Sequence, residues 1–197
     1  MYWAAHKGHL DCFRMLLSFG ADPLQSNRKG NSPMIMSALY GRVSVVNELF
    51  AVPQVDINLP NNDGWTPLML ASSRGHCETV HLLSRHPTQR LQPNKFRNGG
   101  NTALIQACIA GFLDVVRLLL QLPGIEVNRH NNGHMTPLHI AVESGHVDVV
   151  RCLLCVSGVD FRYPNKRGKA PLDTAMEAGF GTIVDDLRRA LMHSEGR

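Results

Sequence analysis

Cys152 and Cys155 are separated by two residues, the spacing at which a pair of thiolates can hold one side of a tetrahedral zinc ion. Such a site needs four ligands, and no second cysteine pair or histidine pair is expected to complete them. The pair therefore reads as ordinary apolar and surface material of an outer helix, and no metal is expected. Ten histidines could supply general acids and bases. Three of them, His9, His76 and His146, directly follow a recurring glycine, a regularity of position that marks them as structural. Asp185 and Asp186 are adjacent on a helix, so they point about 100° apart and cannot form a carboxylate dyad. No G-x-S-x-G, phosphate-binding loop, H-E-x-x-H or dinucleotide fingerprint occurs. The expectation is a protein with no catalytic residues and no cofactor, whose function lies in its surface.

The elements that must carry that surface are legible in Asn61-Asn62-Asp63-Gly64-Trp65-Thr66-Pro67-Leu68-Met69-Leu70-Ala71-Ser72-Ser73-Arg74-Gly75-His76. A polar turn ending in Gly64 leads into a short helix. Thr66 can cap its first turn, and Pro67 occupies N1, where a missing N–H costs nothing. Gly75 supplies a left-handed stop. Leu68 and Ala71 share one face, and the small residues at 71–73 let a second helix approach closely. A helix of about eight residues is not stable alone in water, so the unit must lean on copies of itself.

The copies are present. The start signal recurs as Ser32-Pro33, Thr66-Pro67, Thr136-Pro137 and Ala170-Pro171, with Thr102-Ala103 filling the gap. The stop recurs as Gly8, Gly41, Gly75, Gly111, Gly145 and Gly179, at spacings of 33, 34, 36, 34 and 34 residues. A fixed period of that size is the signature of a stacked solenoid. Gly64-Trp65-Thr66-Pro67-Leu68, Thr136-Pro137-Leu138-His139-Ile140-Ala141 and Gly145-His146-Val147-Asp148-Val149-Val150 match the ankyrin-repeat motif nearly letter for letter, and over its whole length the chain resembles that family. The resemblance implies an all-α repeat solenoid of helix-turn-helix units with β-turn or hairpin fingertips. It also implies that His139 braces its turn by hydrogen bonding. The expected organisation is one domain over 1–197, with a partial repeat at 1–26 and full repeats at 27–60, 61–96, 97–130, 131–164 and 165–197.

Composition agrees. The chain is 44% hydrophobic and 18% charged, ordinary globular material with a net charge of +4. No apolar run approaches the ~18 residues of a membrane span, and Arg117 interrupts the greasiest stretch, 115–120. Met1-Tyr2-Trp3-Ala4-Ala5-His6 lacks the basic start and apolar core of a secretory signal. Five scattered cysteines, an odd number, point to free thiols in a reducing compartment, cytoplasmic or nuclear.

Each repeat carries its own detail. The first begins inside a helix, and Tyr2 and Trp3 suit a terminal face poorly, which points to a fragment of a longer protein or to another segment packing there; a frayed natural start is the alternative. Two prolines and four Lys/Arg make 84–97 a solvated loop. Leu113, Val116 and Leu120 are the expected inward stripe of the fourth repeat's outer helix. In the fifth, glycine stands at 133, a residue early, leaving His134 in the turn's usual glycine position, and an altered hairpin is expected there. The charged helix at 182–191 suits an outward-facing last layer, with 193–197 frayed.

A stacked solenoid offers an extended concave face suited to another protein. The resemblance implies that the turn residues and the two residues before each stop glycine line it. Leu39, Tyr40, Trp65, Arg74, Ile109 and Met135 place aromatic, aliphatic and guanidinium groups on those positions in the middle repeats, the types that concentrate binding energy at interface centres. The expected function is non-enzymatic binding of a protein or peptide through this face. The alternatives are binding of nucleic acid or another polyanion through the basic tips Arg28, Lys29, Lys166, Arg167 and Lys169, and a structural spacer in a larger protein. An acidic peptide suits the same tips. Asp56-Ile57-Asn58 and Glu126-Val127-Asn128 resemble the exit loops that asparaginyl hydroxylases modify in some ankyrin proteins, although Asn there is also the ordinary loop brace.

Overall fold

The computed structural model describes residues 1–86 and 89–195, with the side chains of 194 and 195 excepted. Its elements are α1 (Tyr2–Lys7), α2 (Leu10–Ser18), α3 (Pro33–Leu39), α4 (Val43–Phe50), α5 (Pro67–Ser73), α6 (Cys77–Ser84), α7 (Ala103–Ala110), α8 (Leu113–Leu120), α9 (Pro137–Glu143), α10 (Val147–Leu154), α11 (Pro171–Ala178) and α12 (Gly181–Glu195). The odd-numbered helices pack side by side in one layer and the even-numbered helices in a second, each odd helix also packing on the even helix that follows it. This is the all-helical stack that the period implies. Among the described residues the turns form no strand, only an isolated bridge between Phe96 and Thr102.

Local chemistry sets the helix ends. Ser32, Thr66, Thr102 and Thr136 sit in extended backbone and accept from the amides of Ile35, Met69, Ile105 and His139, satisfying one orphan donor each. At α11, where Ala170 has no hydroxyl, the Asp173 carboxylate takes the Ala170 amide at 2.9 Å instead. The six stop glycines have φ between 63° and 78°. On five of them, Gly179 excepted, two constraints act together: the left-handed backbone, and a neighbour that fills the space of a side chain. A Cβ on Gly41 would lie 2.7 Å from the His76 ring, and one on Gly111 would lie 2.6 Å from the His146 ring.

The even-numbered helices bury one register. Val45, Val46 and Leu49 in α4 recur as Thr79, Val80 and Leu83 in α6, and as Val149, Val150 and Leu153 in α10. In α8 the buried set is Val115, Val116 and Leu119, not the expected Leu113, Val116 and Leu120. The reason is that α8 contacts α6, α7 and α10 at once, so its buried arc is centred between two neighbours, and Leu113 and Leu120 flank it half-buried. Burying each such aliphatic side chain stabilises the fold by about 1.5–3 kcal/mol.

Two further expectations are corrected. The turn at His134 is not altered. The Asn131 amide bonds the Met135 carbonyl and the His134 amide bonds the Asn131 carbonyl, as at 61–65 and 165–169, and His134 adopts φ 57° in the glycine's place. The turn's hydrogen bonds outweigh the side chain's dislike of that conformation. At the other end, α12 continues through Glu195 where fraying was expected from 193, while residues 196 and 197 lie outside the described residues. The helix is anchored by Asp186, 8% exposed, which pairs with Arg151 of α10 at 2.7 Å and with Arg189 one turn on.

Candidate functional site

The six side chains singled out for binding fall into two rows at opposite ends of the odd-numbered helices. Leu39, Tyr40, Arg74 and Ile109 close those helices; Trp65 and Met135 stand just before their N-caps. Seven or eight residues of helix separate the rows, on the order of 10–12 Å, so the six do not form one patch. In the first row Tyr40 is 40% and Ile109 43% exposed, Arg74 is exposed, and Leu39 is half-buried against the core. In the second row Trp65 and Met135 are both half-buried against the core. The Arg97 guanidinium lies 4.6 Å from the centre of the Trp65 ring, and the Asn165 amide lies 3.5 Å from the Met135 sulfur.

The structure adds a residue that the sequence reading left out of the site. Trp3, 70% exposed, makes an edge contact at 5.5 Å with His6, whose ring meets Tyr40 edge-on at 4.2 Å. Tyr2 extends the run, its ring centre 5.4 Å from Trp3. The register did not signal it: Trp3 stands five residues before its stop glycine, as do the buried Met36, Leu70, Gln106 and Ile140 in theirs, whereas His6 stands two before, like Leu39 and Ile109. His6 Nδ1 is buried without a hydrogen-bond partner.

Most of the other polar groups are committed to holding the stack. His76 Nε2 donates to the Leu39 carbonyl and His146 Nε2 to the Ile109 carbonyl, both at 3.1 Å, tying each helix pair to the one before. His139 is fully buried. Its Nε2 donates to the Lys169 carbonyl at 3.1 Å, while Nδ1 faces the Thr136 hydroxyl at 2.9 Å. Burial holds its pKa below the usual imidazole value, against the opposing pull of the Lys169 carbonyl and of Asp160 and Glu143. Asn27, Asn61, Asn131 and Asn165 each accept two amides of their own turn through Oδ1, a brace that recurs at the repeat period and was not read from the sequence. Asn58 and Asn128 brace the following exit loops through the Arg90 and Gly158 carbonyls, and Asn94 does the same with Gly124. The loop after α6 is thereby partly tied down, Gln89 bonding the Ile57 amide as well.

The basic tips do not run as one stripe. Arg28 and Lys29 are exposed on one turn and Lys166 and Arg167 on another, with three turns between them, while Lys169 pairs with Glu177 at 2.5 Å. Burial pushes the Cys108 thiol well up, and that of Cys152 up against the opposing Arg117. Cys155 caps α10 from just outside it. His130 and His134 form an H-x3-H pair that the sequence reading passed over, and they pack on Tyr163, not on the cysteines. Among the described residues no group of three or more His, Cys, Asp or Glu could hold a metal ion. No described helix is long and apolar enough to cross a membrane.

A profile of ankyrin repeats in three copies matches residues 44–131 and 124–192, one of ankyrin repeats in many copies matches 16–71, and one of the single ankyrin repeat matches 1–28. The chain belongs to the ankyrin-repeat family. Ankyrin repeats are in general protein-interaction modules without enzymatic activity of their own. Among similar proteins, the putative palmitoyltransferase ZDHHC13 of Danio rerio is 30% identical over 61% of this ankyrin chain and 18% of its own length. Ankyrin repeat domain-containing protein 63 of Mus musculus is 36% identical over 41% of the chain and 22% of its own length. The E3 ubiquitin-protein ligase XBAT33 of Arabidopsis thaliana is 29% identical over 62% and 28%. The ankyrin chain thus spans less than a third of each of these relatives.

Proposed function

We propose that the chain binds a protein or peptide along the concave side of its odd-numbered helices, with the grip centred on Trp3, His6 and Tyr40. The observation that carries this reading is the run of ring contacts from Trp3 through His6 to Tyr40, left open to water on the binding side. Aromatic groups held by one another lose little conformational freedom on binding and contribute strongly at interface centres. Arg74 and Ile109 extend the surface, Leu39 supports it from below, and Trp65 and Met135 form a second rim across the helices. The whole chain acts as one ankyrin-repeat domain with repeat borders near 27, 61, 97, 131 and 165. Unpaired cysteines fit a cytoplasmic or nuclear setting.

Affinity capture from native lysate, followed by titration of the captured partner, tests the site. Trp3→Ala and Tyr40→Ala should each weaken capture by about 1 kcal/mol or more, with the helical signal unchanged. Capture that survives both substitutions would sink the site. The exposed tips Arg28, Lys29, Lys166 and Arg167 suit an acidic region of the same partner. Nucleic-acid binding is less favoured because Lys169 is already neutralised by Glu177 and the remaining tips are not contiguous.

A further inference from the structure

A cavity of about 370 Å³ opens between the last three turns, far along the stack from the Trp3 and Tyr40 rings. We propose that it receives a phosphate monoester carried on an aromatic ring, as in a phosphotyrosine side chain of a protein partner. Phe96, Arg129, His130, Asn132, His134 and Lys166 are among the residues that line it, and no carboxylate does. The Lys166 ammonium and the His134 ring nitrogens make no hydrogen bond or ion pair among the described residues. Arg129 is held by Glu126 through one nitrogen at 2.8 Å, which leaves other guanidinium donors available. Glu126 lies outside the lining, about half exposed and also bonded by the Asn94 amide. One unpaired ammonium, a guanidinium with donors to spare beyond Glu126, and two imidazoles around one opening favour an anion with several acceptor oxygens.

The walls suit a flat group. His130 stacks on Tyr163 with centres 5.4 Å apart and planes 16° from parallel, and His134 lies 4.7 Å from His130. Phe96 is exposed on its free face, with the Arg129 guanidinium 4.9 Å from its ring centre. A phenyl ring entering here meets rings on its sides and cations around its phosphate.

The backbone points to the same place. His134 is the only non-glycine with positive φ among the described residues, and its counterparts Gly30, Gly64, Gly100 and Gly168 make the same turn without strain. The imidazole that this strain delivers makes no hydrogen bond among the described residues. Side chains held in costly backbone conformations concentrate where a ligand uses them. A nucleic-acid strand is the less fitting anion, since it needs a continuous basic track. Here the charges converge on one opening.

The test uses the full chain, with the histidine ring protons followed by NMR during titration with N-acetylphosphotyrosine amide, N-acetyltyrosine amide, inorganic phosphate and a 15-residue oligothymidylate. The phosphotyrosine amide should shift His130 and His134 saturably and bind most tightly. The double substitution Arg129→Ala, Lys166→Ala should weaken it about tenfold or more. His134→Gly should weaken it while raising the melting temperature, which separates loss of the ligand group from loss of fold. Unmoved His130 and His134 signals overturn the proposal, as does unweakened binding by the variants. Equal or tighter binding of tyrosine amide, inorganic phosphate or oligothymidylate overturns it too, as no ring-borne phosphate is then being recognised. None of these outcomes depends on the concave face, which Trp3 and Tyr40 test separately.

Discussion

Two histidines do opposite things within one repeat. His134 bears a backbone strain worth about 1–2 kcal/mol in a residue with a Cβ. His134→Gly should therefore stabilise the fold by about 1 kcal/mol in chemical denaturation, and an unchanged or lowered midpoint would mean that the turn is not strained. His139 works in the neutral form, accepting at Nδ1 and donating at Nε2 from a fully buried site. Its folded pKa lies below the ordinary 6.5, so the unfolded chain takes up the proton first. Stability is then fully present above about 6.5 and is lost as pH falls from there through the folded value. His86, also lowered by burial, acts in the same direction. Melting temperature should fall as pH is lowered from 7 to 5, and His139→Gln should flatten part of that slope. A slope unaffected by the substitution would assign the effect elsewhere.

At the scale of the helix, termini decide more than interiors, because helices of seven or eight residues have more unpaired end groups than internal bonds. Thr66→Ala removes the oxygen that accepts the Met69 amide in a buried setting and should cost about 1 kcal/mol in denaturant unfolding. Beside its buried Ile183, Val184 and Leu187, α12 carries one carboxylate that ties it to its neighbour. Asp186 joins it to α10 through Arg151 and satisfies Arg189 within the helix, so Asp186→Asn should cost about 2 kcal/mol and loosen α12 first. Amide hydrogen exchange localises that loss: even protection across α10 and α12 in the variant would argue against the anchor.

At the scale of the molecule, each helix pair is held by its neighbours in the stack, so stability is close to a sum of unit and interface contributions. Both tryptophans, Trp3 and Trp65, lie in the first half of the chain, while circular dichroism reports all the helices. Leu138→Ala, at a fully buried position of α9, should cost about 2–5 kcal/mol. It should also separate the two signals, with fluorescence retaining a later transition than dichroism. Coincident transitions in that variant would mean that the stack unfolds as one unit.

Some of this was written in the residues themselves. Glycines at 8, 41, 75, 111, 145 and 179 and the Ser/Thr-Pro starts state period, helix ends and family, because cap and stop chemistry acts within a few residues and leaves its mark in the local sequence. Other features depend on residues from different repeats meeting. The arc of α8 that turns inward depends on three neighbouring helices. Trp3 reaches Tyr40 through His6, both on α1, while Tyr40 closes α3 of the next repeat; Trp65 sinks beneath Arg97; and His130 and His134 come from two repeats into one cavity wall, with Tyr163 stacked on His130. Whether the turn at 134 would yield to its side chain was a contest between local strain and the ladder of turn hydrogen bonds, and only the folded stack decides it. Short-range chemistry therefore determined the architecture, while the surfaces that could bind a partner were decided by packing across repeats, which no single stretch of sequence encodes.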